Sequence, residues 1–236
     1  MKDRTKLLRK ILNELRLRDK KDLAIDRKNR RELIKEGLKL RRPKRIIKID
    51  TGKIIGVENV VNLIISKLDK KSRIISVEGL SGAGKSSTAE LLQKKLKAFR
   101  FSMGEIFRYL TYTTNYKFTN TQIREQTSKI LKNLSYQVKA NQLCLFDHKK
   151  NITKNLAQKL REPLIESKVP EIAALSQKLV IQFVAEQLEK FKKRSKRKIL
   201  IEGRAFTIDF LPSDLRIKLA ADPLIRAKRR LGQISR

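Results

Sequence analysis

The chain has 236 residues, of which 40% are hydrophobic and 35% charged, with 58 Lys and Arg against 24 Asp and Glu, a net charge of +34. That length allows one domain with an extension, and the apolar share allows a sizeable core. No apolar run approaches membrane-spanning length and there is one cysteine, Cys144, so no transmembrane helix is expected and no intrachain disulfide is possible.

The positive field attracts polyanions: RNA, DNA, nucleotides or anionic lipid surfaces. A lysine-rich codon bias is the bland alternative, though arginine is also abundant. The amino-terminal residues show no secretory signal. Their scattered acids (Asp3, Glu14, Asp19, Asp22) argue weakly against a transit peptide. The expected location is the cytoplasm or the interior of a mitochondrion or plastid.

In chain order, residues 1–45 read as a basic helical stretch. Leu7, Leu8, Ile11, Leu12 and Leu15 make an apolar stripe on one face, and the other face is nearly all Lys and Arg. Pro43 breaks it. A short strand over 46–49, a Thr51-Gly52 turn and an amphipathic helix over 57–68 follow. IISV (74–77) reads as a buried strand, and 86–97 as the helix after it. Helices are expected at 104–113 and 120–133. A hairpin is expected around Asn141, a long helix over 171–192, and strands over 198–203 and 215–221. The alternation predicts a three-layer α/β/α fold with a parallel sheet.

The strongest chemical signal is Gly79-x-x-x-x-Gly84-Lys85-Ser86, placed between a strand and a helix. Glycines at 79, 82 and 84 let successive backbone N–H groups turn inward as an anion nest, and the helix adds its positive end. Lys85 supplies a point charge to β/γ-phosphates. Ser86 supplies a hydroxyl to Mg²⁺.

IISVEGLSGAGKSSTAELLQKKL, FSMGEIFRYLT (101–111), SYQVKANQLCLFDHKKNITKNL (135–156) and KILIEGRAFTIDFLPSDLRIKLAADPLIRAKRR (198–230) together resemble the bacterial-type cytidylate kinases. These are P-loop nucleoside monophosphate kinases, and the resemblance covers about 74–236. It implies an extension over 1–72 and a kinase-like domain over 73–236, with 114–170 as the monophosphate-binding insert. It also implies ATP and Mg²⁺ as cofactors, with Gly79, Gly82, Ala83, Gly84, Lys85, Ser86 and Ser87 holding ATP. Arg108, Arg161 and Arg204 would hold a pyrimidine monophosphate. Lys85, Arg108 and Arg204 would be the catalytic cations, and Ser86 with Glu202 the metal site. Arg226 and Arg230 would begin the helix that leads into the family's lid.

Three departures qualify this. Ala205 stands where the family has Asp. Met103 stands where it has a small hydroxyl residue. The pattern also continues in the family with an arginine-rich lid, a last strand and a helix, whereas this sequence stops at Gly232-Gln233-Ile234-Ser235-Arg236. The expectation is therefore a truncated nucleoside monophosphate kinase-like fold with slow or hydrolytic transfer. Two functions follow. One is phosphorylation of CMP or dCMP. The other is a weakened kinase fold, still nucleotide-binding, acting as an RNA-bound ribosomal or mitoribosomal subunit through residues 1–45, with binding that falls steeply with salt. His148 is expected to be exposed, and Cys144 to be packing.

Overall fold

In the computed structural model, residues 2–114 and 119–234 are described. Residues 115–118 of the insert, and Ser235 and Arg236, lie outside the described residues. The elements are α1 (Lys2–Lys35), β1 (Arg45–Asp50), α2 (Val57–Ser66), β2 (Ile74–Gly79), α3 (Lys85–Leu96), β3 (Phe99–Ser102) and α4 (Met103–Thr114). After them come α5 (Asn120–Asn133), β4 (Leu134–Lys139), β5 (Gln142–Asp147), β6 (Lys150–Asn151) and α6 (Ile152–Asn155). A 3₁₀ turn (Lys159–Arg161) leads to α7 (Pro163–Arg194), β7 (Ile199–Gly203), α8 (Ala205–Ile208), β8 (Leu215–Ala220) and α9 (Pro223–Ile234).

The central sheet has five parallel strands in the order β1-β8-β2-β7-β3. Successive side chains on a strand point to opposite faces, so a strand buried on both sides feeds two cores. Ile199 and Ile201 enter one core with Phe101, Ile106 and Val184, under α4 and α7. Leu200 enters the other with Ile75, Val77 and Ile217, under α2 and α3.

The hairpin of β4 and β5 turns at Ala140 and Asn141, both with positive φ (45° and 63°), as a tight primed turn demands. Tyr136 of β4 packs edge-on against Phe101, with ring centroids 4.7 Å apart. The hairpin is thereby fixed to the main core.

Residues 45–66 fall in the extension by the sequence division, yet β1 forms the sheet edge beside β8 in full register from Arg45–Leu215 to Asp50–Ala220. Val60, Val61 and Ile64 of α2 are buried in the same core as Ile75 and Val77. α7 begins at Pro163 and runs through Pro170, earlier than the 171 start expected from the pattern. β3 is a strand the sequence reading did not assign.

Candidate functional site

In a parallel sheet, ligands bind beyond the carboxyl ends of the strands. Here β1, β2, β7 and β8 end at Asp50, Gly79, Gly203 and Ala220, and the segments after them meet. β2 runs directly into the phosphate loop. A Cβ at Gly79 would sit 2.5 Å from the Leu219 carbonyl oxygen, so only glycine lets β2 leave the sheet against β8. Gly84 caps α3 in the left-handed region, with φ 87°, and this turns the first amides of α3 toward the loop interior.

The loop is braced from within the protein. Leu80 carbonyl accepts from the Ala83 amide at 3.2 Å and from Lys85 Nζ at 3.3 Å. Thr51, at the end of β1, donates its hydroxyl to Ala83 carbonyl at 3.1 Å. Arg229 on α9 donates to Thr51 carbonyl at 2.6 Å and to Gly82 carbonyl at 3.4 Å.

Ser86 donates its hydroxyl to Glu202 at 2.6 Å, joining the first turn of α3 to the end of β7. Arg100 on β3 lies 3.2 Å from the other Glu202 oxygen and 3.4 Å from Glu90, and Arg161 approaches Glu90 at 3.8 Å. Among the described residues no group of three or more His, Cys, Asp or Glu side chains could hold a metal ion. The hydroxyl and carboxylate of Ser86 and Glu202 are adjacent hard oxygen donors. They fit Mg²⁺ that takes its remaining ligands from phosphate oxygens and water.

Arg108 donates Nε to Glu166 at 2.7 Å and folds over Gly104, where a Cβ would meet its guanidinium at 2.9 Å. Gly82, Gly84, Lys85, Ser86, Ser87, Arg108 and Arg161 all border one cleft of ≈ 1350 Å³. Single-ligand pockets span about 300–1,000 Å³, so this one has room for a donor and an acceptor nucleotide together. Gly79, Ala83, Glu202 and Arg204 are not among the residues that line the cleft. Burial holds Lys85 below the ordinary lysine range of 10.5; Glu202 opposes this, and the charges of Arg204, Arg108 and Arg18 add to it. A phosphate tail would relieve that crowding of cations.

Arg204 is partly exposed but is not a free clamp, because it is already paired. Its guanidinium meets Asp22 at 3.0 Å and Asp26 at 2.8 Å, both on α1. Burial raises Asp26 above its usual 3.8, against the pull of Arg204. Arg226 is only 2% exposed and donates to Asp19, to Ser81 carbonyl at 3.1 Å and to Ala221 carbonyl at 3.1 Å. Arg230 borders the cleft. Ala205 has no carboxylate to order Arg204, and α1 supplies two. Met103 is buried in the core beside Gly203 rather than facing the cleft. Sequence reasoning missed Arg18, Thr51, Arg100 and Arg229. The three arginines carry only a positive charge that the whole chain shares, and Thr51 carries only the polarity of a turn residue.

A phosphate loop beside a serine–carboxylate pair, ringed by arginines at the carboxyl edge of a parallel sheet, is the site of a P-loop nucleoside monophosphate kinase-like fold. The cytidylate kinase family model matches residues 75–236. The chain is 33% identical over 159 residues to a probable cytidylate kinase of Vairimorpha ceranae, covering 66% of this chain and 69% of that protein. It is 27% identical over 160 residues to the cytidylate kinase of Mycoplasmopsis agalactiae (66% and 67% covered) and 29% over 163 residues to that of Mycoplasmopsis synoviae (67% and 70%). The chain therefore belongs to the cytidylate kinase family.

Proposed function

We propose that this cleft transfers the γ-phosphoryl group of ATP to the 5′-phosphate of CMP or dCMP, giving ADP and CDP or dCDP. What carries the reading is the joint placement of Lys85, Ser86 and Arg108 around one cleft, with Glu202 hydrogen-bonded to Ser86. The bond from the γ-phosphorus to the β,γ-bridging oxygen breaks, and an acceptor phosphate oxygen forms the new bond. That acceptor is already ionised at neutral pH, so no general base is required. Positioning and charge neutralisation dominate such a reaction.

The amides from Gly82 to Ser86 would hold the β-phosphate, and Lys85 would bridge the β- and γ-phosphates. Arg108 would grip the acceptor phosphate with its fork, with Arg161 beside it. Arg204, braced by Asp22 and Asp26, would add its positive charge beside Lys85. Mg²⁺, when bound, supplies neutralisation of charge on the β- and γ-oxygens, and Ser86 and Glu202 are the residues that would hold it. A coupled assay of ADP release tests the reading: CMP or dCMP should raise the rate well above ATP alone. A rate unchanged by either monophosphate contradicts it.

A second reading, contact with RNA, is favoured by one observation. Arg4, Lys6, Arg9, Lys10, Arg16 and Lys20 are exposed along α1 while its opposite side is docked. Binding of this kind falls steeply with salt. Gel shifts of a structured RNA at 50 and 300 mM salt test it, and retention independent of salt would contradict it. Among the described residues no helix is long and apolar enough to cross a membrane. The single buried thiol, Cys144, suits a reducing interior, cytoplasmic or organellar.

A further inference from the structure

The function proposed above leaves one wall of the cleft without a role, the wall made by α1. Arg18, Lys21 and Ile25 of this helix line the cleft together with Gly84, Lys85 and Ser86. Their spacing of three and four puts them on one flank. Arg18 lies 3.8 Å from Asp22, one turn along, and its side chain keeps 42% of its surface exposed, enough freedom to turn onto a phosphate.

The adjoining face is a seam. Leu15, Asp19, Asp22, Asp26, Asn29 and Leu33 recur at spacings of four and three. Leu15 packs with Ile11, Ala227 and Leu231, and Leu33 enters the main core. Between these apolar ends the seam turns acidic, and the acids meet Arg226 and Arg204. With side chains 13–16% exposed, Asp19, Asp22 and Asp26 do not form a solvated face. The helix is fastened by apolar packing at both ends and by ion pairs where it crosses the phosphate site.

Topology adds an independent observation. Ile11 and Leu15 pack with Leu231 and Ala227, and Asp19, the next turn, reaches Arg226. Moving forward along α1 thus moves backward along α9, so the pair is an antiparallel helical hairpin in space. After α1 the chain enters β1, which pairs with β8, and then α2, which covers the sheet. Residues 2–66 therefore place a helix over the cleft, a fifth strand beside β8 and a covering helix. These are the parts that would follow α9 in the pattern the sequence resembles.

We propose that residues 2–66 do the work of the lid, last strand and last helix in permuted order, with α1 as the lid and Arg18 as its contact to the transferred phosphoryl group. The amino-terminal segment is then part of the catalytic unit rather than an appendage. This rests on the phosphotransfer reading for its chemistry, but not for its architecture.

Two experiments decide it. In the full chain, Arg18→Ala should lower kcat about 100-fold or more. KM for ATP and CMP should move only a few-fold, Arg18→Lys should recover part of the rate, and Arg27→Ala, on the exposed side of α1, should stay near wild type. An Arg18→Ala protein as fast as wild type, or faster, overturns the proposal; a faster one would make α1 a plug. The second experiment moves residues 1–70 behind Arg236 through a short glycine-rich linker and measures thermal unfolding and ATP affinity by calorimetry, with no need for turnover. The rearranged chain should unfold cooperatively and bind ATP within about threefold of the parent. A rearranged chain that fails to fold or to bind overturns the permuted architecture even if CMP turnover is absent in both.

Discussion

Asp22 and Arg204 form an ion pair at 3.0 Å, although Arg204 lies within residues 75–236 that match the family and Asp22 lies outside them. The family pattern would place a carboxylate directly after this arginine, and the chain has Ala205 there. A carboxylate need not come from the neighbouring residue in sequence; it needs only to arrive in space, and α1 delivers two. The paired change Asp22→Asn with Asp26→Asn should leave Arg204 unbraced. The expected result is a KM for CMP about fivefold higher with KM for ATP unchanged, and a loss of only about 1 kcal/mol of stability, because the guanidinium is partly solvated. Steady-state kinetics with each substrate varied, together with urea unfolding, check both parts.

A neighbouring pair behaves differently because it is dry. Arg226 is 2% exposed and pairs with Asp19, while its other donors reach main-chain carbonyls. Removing one partner of a buried pair strands the other charge. Asp19→Ala should therefore cost about 3 kcal/mol. Because α1 is held here, its amides should also exchange faster with solvent, measurable by hydrogen–deuterium exchange.

The phosphate loop carries a steric prediction. In Gly79→Ala the added methyl would stand 2.5 Å from Leu219 carbonyl, a backbone atom that cannot swing away. Either β2 and β8 part or the loop shifts. Stability should fall by about 2 kcal/mol or more, and ATP binding should weaken even where the fold survives. Thermal unfolding with and without ATP separates the two effects, since wild type gains stability from the ligand by mass action.

Acid stability depends in part on Asp214. Burial pushes its carboxyl up, but hydrogen bonds from Lys44 and from the amides of Ile74 and Arg73 outweigh that and hold it below its usual 3.8. A carboxyl with a lowered folded value stabilises fully above the unfolded value of 3.8, and this stability is lost as pH falls through the folded value. Wild type should therefore lose stability more steeply below pH 4 than Asp214→Asn, whose amide oxygen still accepts from the two amides. Unfolding free energies from pH 2 to 7 test the difference in slope.

The parts of this protein that were legible in sequence are those whose physics is local. Strand, glycine loop and helix must be contiguous to make a phosphate nest, so Ile74 to Leu96 could be read directly. The hairpin at Asn141 was legible because a tight turn needs residues that tolerate positive φ. β3 was missed because four residues, Phe99–Ser102, run into α4 without a break. The helix expected over 171–192 begins at Pro163, and Pro170 lies inside it. The acids of α1 show in sequence only as scattered charges in a basic helix. Their real partners, Arg204 and Arg226, are near only after the sheet has folded, and no local pattern encodes that.

The proposed phosphoryl transfer takes place at the loop of Lys85. Product formation measures it directly: ATP, CMP and Mg²⁺ are incubated with the wild-type chain and with Lys85→Ala, and CDP is separated and quantified. CDP should accumulate in step with ADP for wild type, and at a rate lower by about 100-fold or more for Lys85→Ala. Equal CDP yields from both proteins, or ADP without CDP from wild type, would contradict it.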